Sequence, residues 1–346
     1  MKNKDIQEYD VVVVGGGISG CEASYISAVS GARTLLISIN TDSIGYMAFV
    51  NYISDIKGIA TVGKNIWNSL VIKRTAEKNR IDFNDVDRII KDSTGDMIII
   101  DRKRQMIKLK EFIENHKNIE TRQGLVIDIV LKDGIYHALT NDGTAYKSKV
   151  IILAPGTFLD SIIFWGSYNI AAGRPGEIAS KQLLRKLIKI GFKFNEGKVY
   201  SGPRIDGRTI DLNKYIRNKE SHELNIIPEG KETNEIYLDG LKAANSEEEQ
   251  IKILRKIKGM ENAIITRPGY GIKYNILSPL QISKNFESKI FPGLFFCGRI
   301  NGLSDYESSA AQGYFAGVNA VEKIKNKYSI VSRETLKKIR DEKNRK

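Results

Sequence analysis

The sequence predicts an α/β protein, because three features of that class follow one another along the chain. An apolar run at residues 9–14 ends in a cluster of glycines, as a buried parallel strand does when it enters a tight turn. A helix-compatible stretch at 21–30 and a second apolar run at 34–39 then complete a βαβ unit of about 30 residues. Near the other end, a strand at 294–297 leads through a Gly-rich loop into a helix of small residues at 306–325. We therefore expect one nucleotide-binding fold built from both ends of the chain.

Between these ends the patterns are less regular. Helices are expected at residues 66–78, 84–91 and 102–115. Alternating polar and apolar residues then indicate a small antiparallel sheet. Its strands are expected at 119–130, 136–140 and 150–153, with turns at 133–134 and 142–143.

The chain divides into four predicted segments. The stretch that follows Gly156 is rich in Gly, Arg and Asn, and the first fold resumes only near residue 271. The segments are 1–156, the first part of the nucleotide-binding domain; 157–270, an inserted α/β domain for a substrate or an NAD-like group; 271–322, the second part of the nucleotide-binding domain; and 323–346, a basic C-terminal tail.

The composition is that of an ordered globular protein. Hydrophobic residues make up 41% and charged residues 27% of the 346 positions. No apolar run approaches the roughly 20 residues that a bilayer-spanning helix needs. The two cysteines lie far apart, which indicates a reducing compartment. We expect a cytoplasmic protein that makes no membrane contact.

The charge favours polyanions as partners. Lys and Arg number 54 against 41 Asp and Glu, a formal net charge of +13. Such a surplus points to nucleic acid first and to anionic cofactors second. Over half of the surplus lies in the 323–346 tail, which is either a solvated end or an RNA-facing arm.

The sharpest local signal is Gly15-x-Gly17-x-x-Gly20 between a strand and a helix. Gly15 permits the tight turn, Gly17 lets the backbone approach a pyrophosphate, and Gly20 allows close packing of helix on strand. The alternative is a Gly turn that is only structural. The acid expected about 20 residues further on is missing. The second strand ends instead at Ser38 and Asn40, which makes an ordinary NAD site less suitable.

The loop at 298–302 gives a second, long-range signal. It follows a strand, precedes a small-residue helix and is dense in Gly, so it returns to the first nucleotide site. In two-part flavoproteins such an element lies along the pyrophosphate and ribityl chain of FAD. The alternative is a final βα unit that only packs.

Short motifs in one consistent order cover nearly the whole chain. They are residues 15–23, 42–47, 155–159, 173–176, 203–211, 228–230, 233–237, 267–270, 298–302, 306–307 and 310–313. Together they resemble the MnmG (GidA) family, the FAD subunit of the bacterial enzyme that modifies C5 of the wobble uridine in tRNA.

The resemblance implies a Rossmann-type FAD-binding fold of the two-dinucleotide flavoprotein kind with an inserted α/β domain. FAD is the cofactor it implies, with NAD(P)H and a folate one-carbon donor as further candidates. The expected FAD contacts are Gly15, Gly17, Ile18, Ser19, Gly20, Asn40, Val126, Gly156, Ser180, Gly298, Arg299, Asn301, Ala311 and Gln312.

The family-like segments also carry candidates for anion or substrate contacts. These are Arg174, Arg204, Arg208 and Tyr270, because guanidinium groups bind phosphates and carboxylates and an aromatic ring stacks on a flavin or a base. The alternative for the arginines is structural ion pairing with Asp206, Asp211 or Glu177, and for Tyr270 it is core packing.

The chain departs from the family pattern at its nucleophiles. Phe49 stands where the family has a cysteine, and there is no room between residues 216 and 228 for the loop that holds a second one and is also used for NAD. We also expect the family's C-terminal helical domain to be absent from this chain. Cys21 is expected behind the Gly turn and Cys297 at the end of a buried strand. No catalytic residue is predicted, so any catalysis would depend on the flavin.

Two functions follow from this resemblance. One is an FAD-dependent enzyme acting on uridine C5 in RNA, with tRNA as the expected partner. The other is a flavoprotein or partner subunit that binds FAD without cysteine-dependent alkylation. A homodimer is expected. A GTPase subunit is a weaker candidate partner, because the domain that would dock it is expected to be absent from this chain. His116, His137 and His222 are scattered, and no metal site is predicted.

Overall fold

The computed structural model describes residues 8–81, 97–218, 224–241 and 244–325, and every structural statement below refers to them. The helix expected at 84–91 and the tail beyond residue 325 lie outside the described residues.

The described strands, in chain order, are β1 Glu8–Val14, β2 Thr34–Ser38, β3 Tyr52–Ser54, β4 Met97–Ile99, β5 Ile119–Gln123, β6 Val126–Lys132, β7 Ile135–Thr140, β8 Ala145–Leu153, β9 Ile162–Trp165, β10 Tyr168–Arg174, β11 Glu177–Ile178, β12 Phe194–Ser201, β13 Arg204–Asp206, β14 Asn225–Pro228, β15 Glu235–Asp239, β16 Ile265–Arg267, β17 Tyr270–Leu277 and β18 Leu294–Phe296.

The described helices are α1 Ile18–Val29, α2 Asp55–Val62, α3 Lys64–Ser69, α4 Val71–Lys78, α5 Arg102–Glu114, α6 Lys181–Lys189, α7 Leu212–Arg217, α8 Glu247–Leu254 and α9 Tyr306–Ile324. Short 3-10 turns lie at Thr41–Ser43, Gly207–Thr209, Pro279–Gln281 and Gly298–Asn301.

The largest sheet has seven strands in the order β5-β2-β1-β8-β7-β6, with β18 paired to the last part of β8. Its centre is parallel: β1 lies between β2 and β8, and β18 continues the parallel set beside β8. Val11, Val12 and Val13 are completely buried, as apolar strands covered on both faces are. This is the Rossmann-type arrangement expected from the βαβ pattern.

The prediction of a small antiparallel sheet in the middle of the chain was only partly correct. Strand β5 pairs in parallel with β2, and β8 pairs in parallel with β1, so both belong to the main sheet. Only the hairpin of β6 and β7, with its link to the start of β8, is antiparallel. For β8 the reason is burial: Ile151, Ile152 and Leu153 are 0% exposed and require cover on both faces.

Helices α1 and α9 cover one face of this sheet and touch each other closely. A Cβ built on Gly313 would lie 2.1 Å from the Ser19 carbonyl oxygen, and one on Gly317 would lie 2.4 Å from the side chain of Ile26. The N- and C-terminal parts of the chain are therefore locked together by small residues. Leu183, Leu184 and Leu187 of α6 join the core on the other face.

Two further sheets are antiparallel and have cores of their own. One has the strand order β11-β10-β9-β17-β12, and the other has the order β14-β15-β13-β16. Strand β17 begins at the boundary expected at residue 270 and continues to 277, while α6, from the middle segment, packs on the main sheet. The four-segment division stays a prediction. None of the described helices is both long and apolar enough to cross a membrane.

Candidate nucleotide pocket and adjoining arginine cavity

The Gly-rich turn between β1 and α1 has room for glycine alone at two of its three positions. Gly15 has a φ of +113°, and a Cβ there would lie 2.2 Å from the carbonyl oxygen of Ala154. A Cβ on Gly20 would lie 1.8 Å from the carbonyl oxygen of Gly15. At Gly17 a Cβ would meet no protein atom within 4 Å. The turn is tight behind and open in front, and no side chain caps the first N–H groups of α1.

That open side faces a long pocket, here called the nucleotide pocket. Nine of the fourteen expected contact residues line it: Gly15, Gly17, Ile18, Ser19, Asn40, Val126, Gly156, Ser180 and Arg299. The other five, Gly20, Gly298, Asn301, Ala311 and Gln312, are absent from its lining. The lining residues that were not among the fourteen expected contacts include Ser43, Tyr46, Gly124, Phe158 and Tyr306.

The late loop meets the first turn of α1, as its position in the sequence suggested. Gly298 has a φ of +82°, and a Cβ there would lie 2.0 Å from the Ser19 Oγ. Gln312 Oε1 accepts hydrogen bonds from the Gly298 N–H at 3.0 Å and from Asn301 Nδ2 at 2.9 Å. Asn301 Oδ1 is buried without a hydrogen-bond partner among the described residues. The family-like loop therefore shapes one wall through contacts of its own.

Phe49 is held at the rim of the pocket through its backbone. Its N–H donates to the Tyr306 hydroxyl at 3.0 Å. Its carbonyl oxygen accepts from Arg102 at 3.0 Å and from Arg204 at 3.3 Å. The Arg299 guanidinium carbon lies 4.4 Å from the centroid of the Phe49 ring. A fixed ring in contact with a cation thus occupies the position where the family resemblance predicts a cysteine.

Both cysteines lie away from the pocket surface. Cys21 and Cys297 are each 0% exposed, and both are free thiols. Burial is the main cause that raises the pKa of both thiols well above the usual range. Neither is suited to act as a thiolate nucleophile.

A buried ion-pair cluster supports the Phe49 loop from beneath. Glu229 Oε1 accepts from Arg204 Nε at 2.9 Å, and Glu229 Oε2 accepts from Arg102 Nε at 2.5 Å. All three side chains are at most 6% exposed. Burial opposes the charge on Arg102, but the Glu229 carboxylate outweighs it and the pKa of Arg102 is raised. Local sequence patterns do not reveal this cluster, because its members come from three separate motifs or elements.

A second cavity of about 430 Å³, here called the arginine cavity, adjoins the nucleotide pocket. The two share Ser43, Tyr46, Ala48 and Arg174. The remaining wall residues of the arginine cavity are Met106, Trp165, Pro175, Arg204, Thr266, Arg267, Pro268 and Tyr270. Three of the four anion or substrate candidates, Arg174, Arg204 and Tyr270, are therefore brought together.

Arg208 is not part of this group. It pairs with Asp206, its side chain is 71% exposed, and it lines neither cavity. Arg174 pairs with Glu177, as the structural alternative allowed. Arg204 pairs with Glu229 and not with Asp206 or Asp211, because β15 lies between β14 and β13 and pairs Pro228 and Arg204 with its adjacent residues Ile236 and Tyr237. Asn40 Oδ1 accepts the Asp42 N–H at 2.9 Å, so its oxygen is engaged locally. In the described part of the chain, no group of three His, Cys, Asp or Glu is arranged to hold a metal ion.

Similarity to known proteins extends over most of the chain. The model of the family described as glucose inhibited division protein A matches residues 10–221 and 214–328. The tRNA uridine 5-carboxymethylaminomethyl modification enzyme MnmG of Karelsulcia muelleri is 31% identical over 93% of this chain and 64% of its own length. The MnmG of Ligilactobacillus salivarius is 29% identical over 94% of this chain and 63% of its own. The chain thus spans a little under two thirds of these relatives.

Solved structures agree on the fold. GidA of Aquifex aeolicus superposes with a TM-score of 0.82 at 27% identity, covering 94% of this chain and 64% of that protein. The p-nitrophenol 4-monooxygenase PnpA of Pseudomonas putida, at 13% identity and a TM-score of 0.58, covers 94% of this chain and 82% of that one and shares the fold alone. The expected α/β fold of the Rossmann-type flavoprotein kind is confirmed. Matched by the family model over most of its length, the chain belongs to the GidA family.

Proposed function

We propose that the nucleotide pocket binds FAD. The support comes from Gly17, where the open space in front of the turn suits a pyrophosphate at the N-terminus of α1. The β2 end is followed by Asn40 in place of the acid of an ordinary NAD site, and the 298–301 turn contributes Arg299 to the pocket lining. Gly15, Gly17, Ser19 and Arg299 would hold the cofactor. Bound FAD would supply two-electron redox chemistry.

On this FAD site we propose an enzyme that modifies uridine C5 in RNA, with tRNA as the substrate class. Membership of the GidA family and the names of the MnmG relatives support it, as does the net charge of +13. The chain's own residues would bind and orient. Arg299 and Tyr306 fix the Phe49 loop at the pocket rim, and the three arginines of the second cavity attract an anionic substrate.

Phe49 is the residue that favours a second candidate function. A thiol that adds to uridine C6 is missing at this position, and both cysteines are buried with raised pKa values. The second candidate is therefore a flavoprotein that binds FAD and RNA, or a partner subunit, without cysteine-dependent alkylation. If the enzyme is active, its uridine chemistry depends on the cofactor and on orientation.

Further participants rest on the family resemblance alone. They are NAD(P)H as reductant, a folate one-carbon donor, a GTPase partner subunit, a homodimeric assembly and a cytoplasmic location. We include all five in the proposal, and the reductant, the one-carbon donor and the GTPase subunit should be supplied when activity is measured.

One comparison separates the two candidates. Nucleosides from total RNA are measured by mass spectrometry in cells with the gene, without it, and complemented with the wild type or Gly17→Glu. Loss of a C5-modified uridine that only the wild type restores supports the enzyme. An unchanged nucleoside profile, together with stoichiometric FAD in the purified protein, supports the non-alkylating flavoprotein.

A further inference from the structure

We infer that the arginine cavity is a subsite for one nucleotide extruded from an RNA strand, with its phosphate on Arg267 and its base beside Trp165. The inference rests on the proposed RNA function and adds the place where a single residue of the substrate is held. It is carried by the charge, the ring content and the position of the cavity.

The charge of the lining is one-sided. Arg174, Arg204 and Arg267 all face the cavity, and the described lining residues include no Asp or Glu. Each guanidinium does have an acidic partner, namely Glu177, Glu229 and Glu235. Those three carboxylates are not part of the cavity lining, so they hold the arginines in place while the lining itself presents guanidinium groups and no carboxylate. Such fixed forks match the oxygens of a phosphate.

The depth of the three arginines differs and gives the site a direction. Arg204 is buried, whereas the Arg267 side chain is 55% exposed and lies at the rim. Arg174 stands against the Tyr46 ring, with its guanidinium carbon 4.4 Å from the centroid. A phosphate on the strand is therefore met at Arg267, and the group attached to it enters toward the wall shared with the nucleotide pocket.

The rings place a base in the interior. Trp165 and Tyr270 line the cavity with centroids 6.1 Å apart and planes inclined by 52°. Tyr270 is nearly buried, and Tyr46 is occupied by Arg174, so Trp165 is the ring best placed to stack on an incoming base. Enzymes that act on a base commonly extrude it from the strand and hold it by stacking. The shared wall of Ser43, Tyr46 and Ala48 then brings the base next to the cofactor.

The two tryptophans provide a direct readout. Trp67 is completely buried and donates its indole N–H to Asp55 at 2.7 Å, while Trp165 lines the cavity. FAD-loaded protein is titrated with uridine 5′-monophosphate, with uridine and with a short oligouridylate, and intrinsic fluorescence is followed alongside calorimetry. We expect the nucleotide to quench fluorescence in the wild type and not in Trp165→Phe.

A matched pair of arginine variants tests the phosphate contact. Arg267→Gln removes a cation at the cavity, and Arg208→Gln removes an exposed cation that also has an acidic partner but lines neither cavity. Arg267→Gln should weaken uridine monophosphate binding on the order of tenfold and leave uridine unaffected, because the variant removes only the guanidinium that meets the phosphate. Arg208→Gln should match the wild type. Retained yellow colour shows that each variant is folded.

Three outcomes would overturn the subsite. In the first, the FAD-loaded wild type does not bind the nucleotide. In the second, Arg267→Gln and Arg208→Gln lose the same amount of nucleotide affinity. In the third, the protein binds a pteridine carboxylate but not the nucleotide. If RNA nucleosides still change with the gene in those cases, the proposed RNA function survives and only the subsite is wrong. If the wild type binds neither RNA nor nucleotide and no nucleoside changes, both are wrong.

Discussion

The guanidinium group of Arg299 lies 4.4 Å from the centre of the Phe49 ring, at the rim of the nucleotide pocket. Phe49 stands where the family resemblance predicts a cysteine. A cation next to this position would stabilise a thiolate if one were present.

The first prediction concerns thiol reactivity at that rim. Native wild-type protein should react with no equivalent of Ellman's reagent, because both cysteines are buried, and with two after denaturation. Phe49→Cys should add one rapidly reacting thiol in the native state. Adding Arg299→Gln to this variant should slow the reaction, since the nearby cation is removed. A native wild type that already titrates would contradict the burial of Cys21 and Cys297.

Gly17→Glu should give a folded but colourless protein. The new carboxylate would project into the open space in front of the turn and repel the cofactor's pyrophosphate. Ser30→Glu, at the other end of α1, adds the same charge away from the pocket and should remain yellow. Absorbance of bound flavin per protein checks both. Stoichiometric FAD in Gly17→Glu would refute the proposed placement of the cofactor.

The buried carboxyl of Glu22 should make stability depend on pH. It accepts the N–H groups of Ile72 at 2.7 Å and Val71 at 3.0 Å, and burial raises its pKa from 4.5 to about 7. The folded state therefore holds a proton that the unfolded state releases. The resulting stabilisation is full below about pH 4.5 and is lost as the pH rises to about 7, by roughly 3 kcal/mol at most.

Glu22→Gln should remove this pH dependence. Urea unfolding at pH 5 and pH 8 should show the wild type losing stability relative to the variant as the pH rises. Glu111→Gln, on the exposed side of α5, serves as the control and should follow the wild-type profile. Parallel profiles for the wild type and Glu22→Gln would show that Glu22 keeps one ionisation state throughout.

Removing the shared carboxylate of the buried cluster should destabilise the fold strongly. Glu229→Gln leaves the guanidinium groups of Arg102 and Arg204 buried without a counter-charge, which typically costs about 3–5 kcal/mol. Asp206→Asn breaks the exposed pair with Arg208 and should change the melting temperature little. Equal melting temperatures for the two variants would show that solvent reaches the cluster.

Truncation after Lys325 tests the basic tail. Residues 326–346 lie outside the described part, while Lys325 itself donates to the Ser30 carbonyl and closes α9 on α1. If the tail binds RNA, the truncated protein should show a flatter dependence of log affinity on log salt concentration, by about 0.7–0.9 for each phosphate that the tail neutralises. Equal slopes before and after truncation would identify the tail as a solvated end.

The parts of the fold that were predicted correctly are those that depend on residues close together in the sequence. The turn from Gly15 to Gly20 follows from glycine chemistry at fixed spacing, and α9 follows from a run of small residues. The parallel pairing of β5 with β2 and of β8 with β1 was not predicted, because the alternation of residues along a strand does not reveal which strand lies next to it. For β8, the complete burial of Ile152 favours a central position in the sheet, and this burial is known only from the folded structure.

The site shows the same division. The motifs identified Arg174, Arg204 and Tyr270, and the fold places them in one cavity. They did not identify Glu229 as the partner of Arg204, nor the Tyr306 hydroxyl as the acceptor of the Phe49 N–H, since the latter pair is separated by 257 residues. Contacts over such distances are set by sheet order and helix packing, which local patterns do not encode.

The close approach of Gly298 and Gly313 to Ser19 also has a consequence for biosynthesis. In the order of synthesis, the first turn of α1 precedes the two glycines that enclose it, because Gly298 and Gly313 lie far along the chain from Ser19. Until they emerge, the pocket lacks a wall and the apolar face of α1 lacks its cover. The folding chain therefore depends on a long-range closure, which is slow, and cofactor capture should follow the synthesis of α9.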